Sequence, residues 1–175
     1  HSKECSWTKE SQVNKTADTK KRQLNRTKAV NFDLSEEQQL LKDSVDRFVS
    51  DNYDLDTRQS LSKNEAGFSD TYWQTMAELG WLGVTVPEAH GGFGGNQADT
   101  MVLMEAFGKG LVLEPFFASA VLGTRAIVSG GSEELQSKLL PELLNGTSRL
   151  SLAYAEEQSR FDLEDVVTRA TANEH

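Results

Sequence analysis

Leu79-Gly80-Trp81-Leu82-Gly83-Val84-Thr85-Val86-Pro87-Glu88-Ala89-His90-Gly91-Gly92-Phe93-Gly94-Gly95-Asn96 is the stretch on which the fold class turns. Four of the five residues from Gly91 to Gly95 are glycine, which marks a loop with unusual backbone angles or a close approach of two segments. A phosphate cradle here would make the chain α/β. The dinucleotide pattern fails, because Gln97 stands where the third glycine belongs and no parallel βαβ pattern surrounds it. A P-loop fails for want of Gly-Lys-Ser/Thr. His90-Gly91-Gly92 would suit an oxyanion loop, but no Gly-x-Ser-x-Gly elbow occurs in the chain. The remaining reading is a sharp turn between an apolar extended connector, residues 81–87, and a buried helix.

Outward from that turn the chain reads as helix in both directions. Ser35-Glu36-Glu37-Gln38 has the form of a capping box. Leu41, Val45, Phe48 and Val49 recur behind it at helical spacing, so a helix is expected over about 35–51. A second, weaker one is expected over 56–63. Ser69 caps a helix whose buried face is Tyr72, Trp73, Met76 and Leu79, with Gly80 in the C′ place. Asn96 caps the next, in which Met101, Val102, Met104, Ala106 and Phe107 cover much of the circumference; such a helix belongs in the centre. Pro115 opens a further helix, nearly all apolar from Phe116 to Val128. Ser132 caps one more short helix, and Pro141 opens a last turn closed by Asn145-Gly146.

Behind the helices, residues 149–162 change the pattern. Residues 150–155 and 166–172 read as strands. Glu156 and Glu157 just after the first are neighbours pointing to opposite faces, so they form no catalytic carboxylate pair. Residues 1–30 are polar, with eight basic and three acidic side chains, a balance of +5. The remainder holds ten basic and 24 acidic residues, a balance of −14. We expect the arm to be disordered; its sequons at Asn14 and Asn25, like the one at Asn145, read as chance matches. The acidic body argues against nucleic acid as a partner. Cys5 is the single cysteine, so neither a disulfide within the chain nor a cysteine metal site is expected. No apolar run reaches the roughly 18 residues of a membrane span, and no secretory signal opens the chain; a cytoplasmic location is expected. Of the three histidines, His90 alone is a catalytic candidate, and a loop residue without a partner is the plainer expectation. Glu105, on the central apolar helix, reads as half of a structural ion pair, with Arg125 as the candidate partner, rather than as a general base of raised pKa.

An ordered set of motifs resembles the N-terminal half of an acyl-CoA dehydrogenase: Phe32-x-Leu34-x-Glu36-Glu37-Gln38, Leu79-Gly80-Trp81-Leu82-Gly83, Val86-Pro87-Glu88-x-x-Gly91-Gly92-x-Gly94, Glu105 with Gly108, and Gly131-x-x-x-Leu135-Gln136-x-Lys138-x-Leu140-Pro141-x-Leu143-x-Asn145-Gly146. The resemblance implies a mainly α fold: an N-terminal helical-bundle domain at 31–147, followed at 148–175 by the first strands of a β-barrel middle domain. It implies FAD as cofactor and an acyl-CoA substrate oxidised to 2,3-enoyl-CoA. It further implies electrons passed to an electron-transferring flavoprotein, and a homo- or hetero-oligomer. The catalytic base is expected in a C-terminal part that this chain lacks, so the chain is expected to be a fragment, inactive alone. Where the family usually reads Thr-Glu-Pro-x-x-Gly-Ser-Asp, this sequence has Ala155, Glu156, Glu157, Arg160, Phe161 and Asp162 at the Thr, Glu, Pro, Gly, Ser and Asp. The implied cofactor contacts are therefore Leu152, Tyr154, Ala155, Arg160 and Phe161, without the two hydroxyls. That departure resembles a diverged branch such as the small subunit of pimeloyl-CoA dehydrogenases. Two rivals remain: a non-catalytic partner subunit of a heteromeric enzyme, and a helical interaction module of another kind.

Overall fold

Caps and apolar periodicity set the helices. The computed structural model describes residues 33–171; the expectations for the arm, for Cys5 and for the sequons at Asn14 and Asn25 lie outside them. The helical body runs from Glu36 onward. The elements are α1 (Glu36–Asn52), α2 (Leu55–Leu61), α3 (Asp70–Glu78), 3₁₀ turns at Trp81–Gly83 and Glu88–His90, α4 (Gln97–Gly110), a π-helical segment (Phe117–Gly123) running directly into α5 (Thr124–Gly130), and α6 (Glu133–Leu144). Ser69 accepts from the Tyr72 N–H, Asp54 from Thr57 and Ser132 from Leu135. Asn96 and Asp99 form a reciprocal capping box at the start of α4. Each such cap is worth about 1 kcal/mol.

α1 and α4 pack on each other through Val45 and Leu103, both fully buried. Around them lie Trp73, Met76, Trp81, Leu82, Ala106, Phe107, Phe116 and Ala120. Aromatic edges join successive elements. Phe48 of α1 meets Trp81 at 5.3 Å between centroids, Trp81 meets Phe107 of α4 at 5.9 Å, and Phe107 meets Phe116 at 4.9 Å. Contacts of this kind add about 0.5–1.5 kcal/mol each beyond the area they bury. A second cluster of Val86, Leu140 and Leu143 seats α6, and the Trp73 indole N–H donates to the Gly146 carbonyl at 3.0 Å.

Three expectations are corrected. The connector 81–87 is not extended: Trp81–Gly83 winds as a 3₁₀ turn, with the Val84 N–H bonded to the Trp81 carbonyl. The glycine loop folds back on it, and the N–H groups of Phe93, Gly94 and Gly95 donate to the carbonyls of Gly83, Val86 and Val84. Those amides are consumed internally, which is the physical reason the loop cannot cradle a phosphate. Gly92 is needed because a Cβ there would lie 2.2 Å from the Val86 carbonyl oxygen. Next, Pro141 opens no new turn but sits inside α6; burial of Leu140 and Leu143 beside it offsets the backbone bond a proline forfeits. Finally, no strand occurs among the described residues. Residues 150–155 and the described part of 166–172 are irregular. A strand needs neighbours to take its N–H and C=O groups, and two short ones are marginal at best.

One buried polar contact went unread in the sequence. Glu114, only 6% exposed, accepts from the Tyr53 hydroxyl and, at 3.1 Å, from the Ser69 N–H. It thereby ties the end of α1 and the cap of α3 to the turn that enters the π segment. Burial, then the hydrogen bond to the Glu114 carboxylate, raises the Tyr53 pKa far above the ordinary tyrosine value. Glu114→Ala strands both donors and is expected to lower unfolding stability by about 2–3 kcal/mol in urea titration. A raised pKa in the folded state means that the folded chain holds this proton longer than the unfolded one. The tyrosine's contribution is therefore complete below pH ~10 and is lost as pH rises above it. Stability should fall above pH ~10 in the parent and less steeply in Tyr53→Phe, as read by denaturant melts across that range.

Candidate functional site: a groove between two helices and the segment fastened behind it

The two most apolar helices leave a groove between them. At one end a cleft of about 320 Å³ is lined by Met104, Phe107, Phe116 and Phe117, with Arg58 and Glu114 among its other walls. At the other end a cleft of about 170 Å³ is lined by Thr85, Gln97, Thr100, Val121 and Arg125. Thr100 precedes Met104 by one turn and Val121 follows Phe117 by one turn, so the helices run antiparallel and the clefts are successive positions along the same pair. Phe117 remains more than half exposed here, so the groove presents a large apolar side chain that nothing among the described residues covers.

At the Phe117 end of the groove the two charged residues are engaged. Glu114 spends its oxygens on Tyr53 and Ser69. Arg58 donates to the Leu111 carbonyl, which stands at the end of α4 where Leu111 takes a left-handed φ of 52°. Glu105 is not in this groove and does not meet Arg125. It is exposed and pairs with Lys109 at 2.8 Å, one turn along α4, and that partner holds its carboxyl below the usual range. This is the reverse of what a general base requires, and an i, i+4 pair on the wet edge of a helix is its physical account. His90, expected to lack a partner, has its Nε2 3.8 Å from Glu133 Oε1. Among the described residues no group of three or more His, Cys, Asp or Glu is placed to hold a metal ion, and no helix is long and apolar enough to cross a membrane.

Behind the groove the chain leaves α6 and is fastened twice. Arg149 pairs with Asp70 and lies over the Phe68 ring, 4.8 Å from its centroid. Leu150 then donates its N–H to the buried Ser119 hydroxyl at 3.1 Å. The five cofactor candidates come next, on an exposed segment. Leu152 is 42% exposed, Tyr154 58% and Phe161 99%, and Ala155 and Arg160 are exposed as well. The Tyr154 N–H is taken by the Leu152 carbonyl at 3.0 Å. The N–H groups of Leu152, Ala155, Arg160 and Phe161 have no partner among the described residues, nor has the Arg160 guanidinium. Arg160 also adopts a left-handed φ of 51°, and it stands where the resemblance places a glycine. The five residues thus lie along one exposed segment that carries open N–H donors and apolar side chains.

The sequence placed Glu156 in the motif but gave no sign that it shapes this loop. Glu156 accepts from the Gln158 side-chain amide at 2.9 Å, from the Val167 N–H at 2.8 Å and from the Thr168 N–H at 3.2 Å. Those bonds, the Gln158 one foremost, hold its carboxyl down at about 2. The available signal was its place opposite residues 166–168, which only a fold-back reveals. Ser159 closes the turn, donating to the Glu156 carbonyl at 3.0 Å.

Similarity to known proteins gives the class. The chain belongs to the acyl-CoA dehydrogenase family: residues 35–147 match the family's profile "Acyl-CoA dehydrogenase, N-terminal domain". It is 29% identical over 139 residues to the mitochondrial isovaleryl-CoA dehydrogenase of Bos taurus, an alignment covering 78% of this chain and 33% of that protein. The structure superposes on a chain of the ChsE4-ChsE5 complex from Mycobacterium tuberculosis with TM-score 0.68 and 28% identity, covering 74% of this chain and 35% of that one. It superposes on an acyl-CoA dehydrogenase complexed with FAD from Bacillus anthracis with TM-score 0.65 and 28% identity, covering 73% and 22%. The chain spans about a third of the length of the curated relatives it matches.

The Glu156 loop yields an acid-range expectation. Because the folded carboxyl titrates well below a free glutamate, its bonds are intact above pH ~4.5 and are lost as pH falls towards 2. Amide exchange at Val167 and Thr168 should accelerate through that window, and in Glu156→Ala it should be fast at every pH.

Proposed function

We propose that this chain is the N-terminal helical part of a flavin-dependent acyl-CoA dehydrogenase subunit. In this reading residues 31–147 form the helical domain and residues 148–175 begin the barrel. The groove between α4 and the π segment is one wall of the acyl site, and residues 152–161 belong to the cofactor site. The observation that carries the reading is the juxtaposition itself. An uncovered apolar groove lies on one side of the π segment, and a segment rich in open donors is fastened to the other.

The donor set fits FAD in its chemistry. Free backbone N–H groups and the Arg160 guanidinium suit its anionic and carbonyl oxygens, while Ala155 and Phe161 contribute no hydroxyl. FAD, when bound, supplies the acceptor for the hydride leaving the acyl β-carbon. This chain's residues do the rest of what is asked of one wall. Met104, Phe117 and Val121 bury the acyl group and exclude water. Arg160 and the amides of Ala155 and Phe161 hold and orient the cofactor. The single carboxylate at the groove, Glu114, is fully engaged, so the base that removes the α-proton comes from residues outside the groove's present walls. In this reading an electron-transferring flavoprotein would be the partner that takes up the electrons.

A second reading has its own observation. The missing hydroxyls at Ala155 and Phe161 favour a partner subunit that keeps the fold and pairs with a competent one, and a complex such as ChsE4-ChsE5 supports a hetero-oligomer. The product of the complete reading frame, purified alone and with its partner, separates the two. Yellow protein that reduces a dye with acyl-CoA alone supports the first. Colourless protein that is needed for a partner's activity supports the second. Protein that is colourless and inert in both settings sinks the dehydrogenase reading. Val121→Trp narrows the groove and is expected to cut kcat/KM for long acyl-CoA about tenfold while sparing short ones, a difference of size discrimination in an apolar pocket.

A further inference from the structure

We propose that Ser119 and Gly123 are positioning residues that latch the chain at Leu150 and so fix where the cofactor segment leaves the helical wall. This rests on the flavin reading above. Ser119 is 2% exposed and lies in an otherwise apolar helix. A buried hydroxyl there is costly unless it is bonded, and its bond is the one it accepts from the Leu150 N–H, 31 positions away in the sequence. In an ordinary helix a serine hydroxyl would turn to a carbonyl one turn back; here it faces outward to another segment.

Gly123 completes the latch. A Cβ at this position would lie 2.6 Å from the Leu150 Cβ and 3.3 Å from its carbonyl carbon. The backbone of residue 150 can therefore seat on the helix only where position 123 carries no side chain. The π winding brings the two residues into line. Over Phe117–Gly123 the helix is widened, and the Ser119 carbonyl is taken up by the Thr124 hydroxyl at 3.0 Å as well as by the Thr124 N–H. Thr124 is itself 2% exposed, so the widened turn is pinned from within. Such π segments recur at functional positions in helices.

The arrangement gives one short helix two duties. Phe117 and Val121 line the groove, while Ser119 and Gly123, each half a turn on, hold Leu150. After Leu150, residues 151–155 are all exposed, until Glu156 and Ser159 close their own turn. The latch is thus the last fixed point of the chain before Leu152, Tyr154 and Ala155. A register error there would displace every donor beyond it.

The test uses the product of the complete reading frame and the 175-residue chain in parallel. In Ser119→Ala and Gly123→Ala, exchange of the Leu150 amide is expected to accelerate at least about tenfold in the chain, while amides of α1 and α4 keep their protection. In the complete protein both variants are expected to retain several-fold less flavin after gel filtration and to change its visible circular dichroism. Ser119→Cys, a near-isosteric weak acceptor, is read in the same assays should Ser119→Ala fail to fold, and is expected to fall between parent and alanine. Unchanged Leu150 exchange overturns the latch. Faster exchange with unaltered flavin retention and spectrum overturns its positioning role. A parent that takes up no flavin at all overturns the functional reading instead, and the exchange result then tells whether the latch itself exists.

Discussion

Phe107 lies between Trp81, against which it is tilted, and Phe116, which it meets edge to face, and most of the architecture depends on that contact. Trp81 belongs to the turn after α3, Phe107 to the last part of α4, and Phe116 to the start of the helix that becomes π. Fixing the three rings together fixes the angle at which the two most apolar helices meet. Phe48 extends the run to α1. Since aromatic side chains bury large areas and prefer tilted contacts, this run both fills the core and restricts how it can repack. The groove is the consequence: once Phe107 and Phe116 are buried against each other, Phe117 is left facing outward.

Buried polar contacts then give the core its specificity. Glu114 is a carboxylate placed where few are tolerated, and its two donors come from the end of α1 and from the cap of α3. Ser119 and Thr124 do the same for the other half of the fold, joining the π segment to itself and to the exit segment. Contacts of this kind add little net stability. They are costly to break, though, because each removal strands a buried partner. The core is thus held by apolar area and aligned by a few hydrogen bonds, and the alignment bears on the groove and on the segment behind it.

The exit segment obeys different physics. Most of its side chains from Leu152 to Phe161 are exposed, and one carboxylate, Glu156, organises its loop by collecting donors from Gln158, Val167 and Thr168. The segment is held at its root by Leu150 and shaped by a single acid.

Capping residues and apolar spacing alone determined the helices. Ser69, Asn96 and Ser132 start them where expected, because a cap satisfies its own neighbours' N–H groups and needs no distant partner. The refusal of a phosphate role for the glycine loop was legible too, from the missing third glycine. The row of cofactor candidates was named only through the family's motif, and the structure places it on the surface without enclosing it. Tertiary structure decided what depends on residues far apart. It folded the glycine loop back on the connector, whose Gly83, Val84 and Val86 carbonyls take the loop's N–H groups. It left residues 150–155 without the neighbour a strand requires. It also set the worth of Glu114, Ser119 and Gly123, whose partners lie 31 positions or more away for Ser119 and Glu114 and 27 for Gly123. A periodic pattern records which face of a helix is buried, but not which distant backbone will arrive to use it.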